Sequence, residues 1–178
     1  MWSPECKGDQ FSASLIRLAS GDTNAIYVGW AGGDGSTGCY DLLCPGFVQT
    51  NKGIVLGAVF NRTSDYGGIE QQFYVKIAHD PVTKNWILSF GDQERQAGYR
   101  PKELFPLMEG DTGATRLSFG GIMMPGPEQH TLPPTGSGNK PGSDVRYTTF
   151  MNRIFFSEEY TEFRPPPQLR TKRISDNC

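Results

Sequence analysis

Few side chains in this sequence can do chemistry, and they are scattered. Cys39 and Cys44, separated by four residues, are close enough to bridge across a turn. They could also stay as thiols, or join His79 and His130 around zinc. A tetrahedral zinc site is usually built from two close ligand pairs, and the chain offers only one, so no metal is expected and no cofactor is implied. Those two histidines are the only ones, and no serine sits in a Gly-x-Ser-x-Gly elbow, which argues against a serine triad. Glu70, Glu128, Glu158 and Glu159 are available carboxylates, each read more simply as a solvated surface group. His130 lies in a Gly- and Pro-rich stretch and is a candidate cleft-lining residue. Asn61-Arg62-Thr63 is a glycosylation sequon that should fall at an exposed turn.

Composition narrows what can position these groups. The 178 residues suit one domain with one core. Gly (22) and Pro (13) together fill about a fifth of the chain, which disfavours a long-helix bundle and points to a turn-rich, mostly β domain. Seventeen Lys and Arg face 19 Asp and Glu for a formal charge of −2, too little basic excess for a broad phosphate-binding face, so no nucleic-acid partner is expected. No apolar run approaches the roughly 18 residues that cross a bilayer, and the start Met1-Trp2-Ser3-Pro4 lacks the basic and apolar regions of a secretory signal. The expectation is a soluble chain with no membrane partner.

The pattern of apolar residues places the elements. Phe11 to Ala19 reads as a strand whose phase shifts at Ile16, as a bulge would allow. After the Gly21-Asp22 turn, Ala25 to Trp30 alternates Ile26, Val28 and Trp30 against Ala25, Tyr27 and Gly29, completing a hairpin. Gly46 to Gln49 and Ile54 to Phe60 suggest a second pair around Thr50 to Gly53. Gln72 to Ala78 and Trp86 to Phe90 flank a hairpin loop from Asp80 to Asn85. Pro101 to Met108 should form one short helix, limited by Pro106. Arg116 to Phe119 and Tyr147 to Phe156 supply further strands around a Gly- and Pro-rich stretch from Gly120 to Gly142. The fold class is therefore all-β, an antiparallel sandwich with one short helix. The tail from Arg164 through Pro165-Pro166-Pro167 reads as a solvated polyproline-like end.

Thr37-Gly38-Cys39-Tyr40-Asp41-Leu42-Leu43-Cys44-Pro45-Gly46-Phe47-Val48-Gln49-Thr50 is the longest of several segments that resemble the neprosin domain, a plant-rich family of secreted proteins. Phe11-Ser12-Ala13-Ser14, Val28-Gly29-Trp30, Asp80-Pro81 with Asn85-Trp86, Gly98-Tyr99-Arg100-Pro101, Gly120-Gly121 and His130-Thr131 follow in the family's order. The resemblance spans residues 11–178, taken as one domain behind a remnant N-terminal segment of residues 1–10.

The resemblance implies a β-sandwich and, in the characterised member, a glutamic endopeptidase that cleaves after proline. Its substrate is then a proline-containing peptide or protein, and its location extracellular. Two carboxylates would face each other across a groove, one ionised to activate water and one protonated to assist the leaving group. In a secreted family Cys39 and Cys44 are expected to pair as a disulfide, and Cys178 matches a family cysteine, with Cys6 a conceivable partner. The sequence departs from the family where it matters most. The position of the first catalytic Glu, before Val28-Gly29-Trp30, holds Tyr27, and that of the second, after Gly120-Gly121, holds Ile122. A phenol is no base near neutral pH and a hydrocarbon has no acid-base role, so this copy is expected to be inactive or impaired. Trp30 and His130 remain groove candidates. The family's additional stretch between Trp30 and Thr37 is reduced here to a glycine-rich link. A non-catalytic module for proline-rich peptide or carbohydrate is the alternative, since aromatics such as Trp30, Trp86 and Tyr99 stack on proline rings or sugars when they are not simply packed in the core.

Overall fold

The computed structural model describes residues 1–33, 42, 45–108, 113–128, 130–140, 142, 144–158 and 162–171. Its strands are β1 (Phe11–Ser20), β2 (Asn24–Gly32), β3 (Val48–Gln49), β4 (Val75–His79), β5 (Trp86–Phe90), β6 (Arg95–Arg100) and β7 (Arg116–Met124). They form two antiparallel sheets, one ordered β2-β1-β7 and the other β3-β6-β5-β4.

The hairpin of β1 and β2 turns through Gly21, whose φ of 66° is open to glycine at little cost. Its register pairs Leu18 with Ile26, Ile16 with Val28 and Ser14 with Trp30 on one face. Arg17 with Tyr27, Leu15 with Gly29 and Ala13 with Ala31 lie on the other. On its far side β1 pairs with β7, Leu18 with Leu117 and Ile16 with Phe119 on the first face, Arg17 with Ser118, Leu15 with Gly120 and Ala13 with Ile122 on the second. Both ladders run through β1 without interruption, so the expected bulge at Ile16 does not form. The phase shift has another cause. As the central strand, β1 carries apolar side chains on both faces, which blurs a period-2 pattern.

The first face of this sheet meets the second sheet. Ile26 packs in one buried cluster with Trp86, Phe105 and Met108, joined by Leu18, Val28, Ile77 and Ala114. That contact makes the fold a sandwich. Phe105 and Met108 reach it through a 3-10 turn at Lys102–Leu104, followed by Met108 N–H donating to the Phe105 carbonyl at 2.7 Å. The short helix expected over Pro101 to Met108 is thus a three-residue turn, because Pro106 has no N–H to extend it.

Several expected strands differ, the one from Gln72 beginning only at Val75. Ile54 to Phe60 forms turns with Val55, Val59 and Phe60 exposed, and Gly57 at φ 77° breaks the run. The partner of β3 is instead β6, a strand the apolar pattern does not announce: in Arg95–Arg100 only Ala97 and Gly98 are buried. Tyr147 to Phe156 contributes no strand, only one end of a 3-10 turn at Val145–Tyr147 and an isolated bridge between Phe156 and Arg164. In compensation β7 runs five residues further than Phe119, to Met124.

Residues 1–10 pack onto this body. Trp2 is buried, donates from Nε1 to the Thr148 carbonyl at 3.3 Å, and accepts at its own carbonyl from Trp30 Nε1 at 2.9 Å. Gln10 Nε2 donates to the Thr131 carbonyl at 2.8 Å, tying the segment that carries His130 to the start of β1.

Candidate functional site: the outer face of the β2-β1-β7 sheet

Turned away from the core, the second face of β2-β1-β7 has three central rungs. Tyr27, Arg17 and Ser118 form one, Gly29, Leu15 and Gly120 the next, and Ala31, Ala13 and Ile122 the third. The middle rung carries a side chain only at Leu15. A Cβ at Gly29 would come to 2.0 Å from the Ser14 carbonyl oxygen, so the backbone of β1 keeps that position bare, whereas at Gly120 a Cβ would meet nothing within 4 Å. The result is a shallow furrow across the strands, floored by Leu15, with Tyr27 and Arg17 on one bank and Ile122 on the other.

Tyr27 is 53% exposed and Ile122 37%, so both positions open to solvent on the same face. They are not neighbours. Their partners on β1, Arg17 and Ala13, are four residues apart. At about 3.4 Å per residue and about 4.8 Å per strand, the two Cα atoms lie roughly 16 Å from each other. A water shared by two catalytic groups must be within about 3 Å of each, which side chains standing perpendicular to a sheet do not achieve over that span.

The electrostatics of the face are one-sided. No residue of β1, β2 or β7 is Asp or Glu, while Arg17 and, one rung further out opposite Ala19, Arg116 both belong to this face. Arg17 Nε donates to the Tyr27 hydroxyl at 3.0 Å, and the guanidinium carbon sits 5.6 Å from the centre of the Tyr27 ring. Arg17 was not legible as a site residue in the sequence. Its only signal is an Arg in the exposed phase of a strand, which acquires meaning once the register sets it opposite Tyr27.

The remaining expected residues lie elsewhere. Trp30 is on the core-side face, in T-shaped contact with Phe60 at 4.8 Å between ring centres, so it does not line the furrow. With Trp2, Pro4, Ser12, Ala13, Ser14 and Gly136 it lines a crevice too tight to admit water. His130 is exposed. Asn61 is exposed just after the turns of 54–60. Cys39, Cys44 and Cys178 lie outside the described residues. Cys6 is a free thiol that donates to the Gly32 carbonyl at 3.3 Å, and burial pushes its pKa up, partly offset by the Ser12 N–H. Among the described residues no three His, Cys, Asp or Glu side chains gather as a metal site.

A family model for neprosin matches residues 22–178. The chain belongs to the neprosin family. The matched range begins in the turn before β2 and includes β7, so Tyr27 and Ile122 fall inside it and Arg17 does not. β1 lies outside the match, yet it is the strand that holds the two banks of this neprosin sheet together. Membership makes a peptidase-like function the framework for the site.

Proposed function

We propose that this neprosin-family chain is a non-catalytic relative of glutamic, post-proline endopeptidases that keeps a peptide-binding furrow and has lost the chemistry. The observation that carries this reading is the absence of any carboxylate from β1, β2 and β7. Water activation needs an ionised base and amide cleavage an acid, and Tyr27 and Ile122 supply neither role. Their separation of roughly 16 Å across the furrow bears on the pairing that the resemblance implies and not on the loss of acids, so the reading rests on the missing carboxylates alone.

An extended peptide fits the remaining surface. The rung of Gly29, Leu15 and Gly120, with Leu15 its one side chain, offers an apolar floor, and Tyr27 offers an exposed ring against which a proline can stack. The partner on this reading is a proline-containing peptide or protein met outside the cell, as the family's secreted character implies. Titration with a proline-rich peptide and, separately, with an oligosaccharide tests it, read as NMR shift changes of Tyr27, Gly29 and Gly120. Peptide-dependent shifts at those residues are expected. Shifts with the oligosaccharide alone would replace the peptide reading with carbohydrate recognition.

A further inference from the structure

We infer that Arg17 and Tyr27 together form a cradle for a carboxylate, so that the furrow selects peptides carrying an acidic group. This rests on the peptide-furrow reading and adds the chemistry of the ligand.

Arg17 stands on the central strand, held by its own hydrogen bond. Nε spends its one N–H on the Tyr27 hydroxyl. The two terminal nitrogens of the guanidinium make no ion pair among the described residues, and their planar fork matches the two oxygens of a carboxylate. Because Tyr27 Oη accepts from Arg17, its own hydrogen is directed away from that donor and is available to a ligand. The guanidinium beside the phenol ring fixes both groups without any carboxylate between them.

The surroundings favour an anion over any other ligand. The chain is net negative, yet this sheet contributes two arginines and no acid, so an arriving carboxylate meets cations and no like charge on the strands. Tyr27 adds a hydroxyl donor on the same bank. Leu15 and the glycines beside it leave room for the ligand backbone, while the carboxylate sits at the Tyr27 bank.

The carboxylate can come from a peptide C-terminus or from an Asp or Glu side chain. Four short N-acetylated peptides separate these sources: a proline-rich free acid, its neutral amide, the amide with one internal Glu, and a proline-free acid. Binding to the full chain is measured by calorimetry at low and high salt, with R17Q and Y27F as variants. Both changes are at surface side chains, and their folding is checked by circular dichroism. At least one acidic proline peptide should bind roughly tenfold more tightly than the neutral amide, the preference disappearing in R17Q, shrinking in Y27F and weakening with salt. The acidic form that wins identifies the source. Equal binding of acidic and neutral peptides, or a preference that survives R17Q, overturns the cradle and leaves the furrow reading intact. A proline-free acid that binds as well as its proline counterpart, with full dependence on Arg17, keeps the cradle and removes the preference for proline. No binding by any of the four overturns both.

Discussion

Arg17 and Tyr27 face each other across the β1-β2 ladder, with Arg17 Nε donating to the Tyr27 hydroxyl at 3.0 Å. Any carboxyl introduced at Tyr27 would therefore be placed beside a guanidinium. In the Tyr27→Glu variant the new carboxyl should titrate below the ordinary Glu value of about 4.3, because the cation favours its ionised form. Its contribution to stability should then be present above that value and fade as pH falls through the lowered pKa. Carbon-13 NMR titration of the introduced side chain measures this directly. The double variant Tyr27→Glu with Ile122→Glu should still fail to cleave proline peptides, since the register separates the two positions by roughly 16 Å. Cleavage by that variant would show that the two banks close on each other in solution.

The β4-β5 loop carries a second, independent pH signature. Asp80 Oδ1 accepts from the backbone N–H of Thr83 at 2.6 Å and of Val82 at 2.9 Å, and these bonds, the Thr83 one first, hold its pKa below the usual carboxylate range. A depressed pKa means stability that is full above the unfolded-state value near 3.9 and lost as pH falls through the folded one. The group is only partly covered, so solvent screening keeps the effect small. Asp80→Ala should cost about 1 kcal/mol at neutral pH, judged from the hydrogen bonds, and the difference from wild type should shrink as pH falls through the lowered pKa. Urea melts at neutral and acid pH check both halves.

Met108 is fully buried in the cluster that joins the sheets. Met108→Ala should remove about 2–5 kcal/mol, depending on how far Ile26, Trp86 and Phe105 relax into the space. Thermal unfolding provides the measurement. A change under about 0.5 kcal/mol would mean that the sandwich is not closed by this cluster.

The Cys6 thiol should be sluggish. Burial raises its pKa, and alkylation proceeds through the thiolate. At mildly alkaline pH its modification by iodoacetamide, followed on the Cys6 peptide by mass spectrometry, should lag severalfold behind a free cysteine. Unfolding in urea should restore the ordinary rate.

Local alternation made β2 and the strand from Trp86 to Phe90 readable from residue order alone. In both, apolar side chains return every second residue toward one core. Where the signal failed, the reasons are specific. Arg95–Arg100 is a polar edge-like stretch whose place inside its sheet comes from neighbours on either side, not from its own composition. Ile54 to Phe60 is apolar enough for a strand but is cut by the left-handed Gly57. Trp2 anchors residues 1–10 through contacts with Trp30 and Thr148, distant in sequence and without periodicity to announce them. Of the candidate site, Tyr27 and Ile122 could be marked by resemblance. Arg17 could not, because its role depends on strand register, which no motif encodes.

The sharpest test of the central claim is the simplest. Purified wild-type protein should be incubated with a set of proline-containing peptides from acid to neutral pH and the products read by mass spectrometry. A sheet bearing no carboxylate predicts no cleavage at any pH while the peptides still bind. Cleavage after proline that disappears when a single Asp or Glu is changed to its amide would contradict the account.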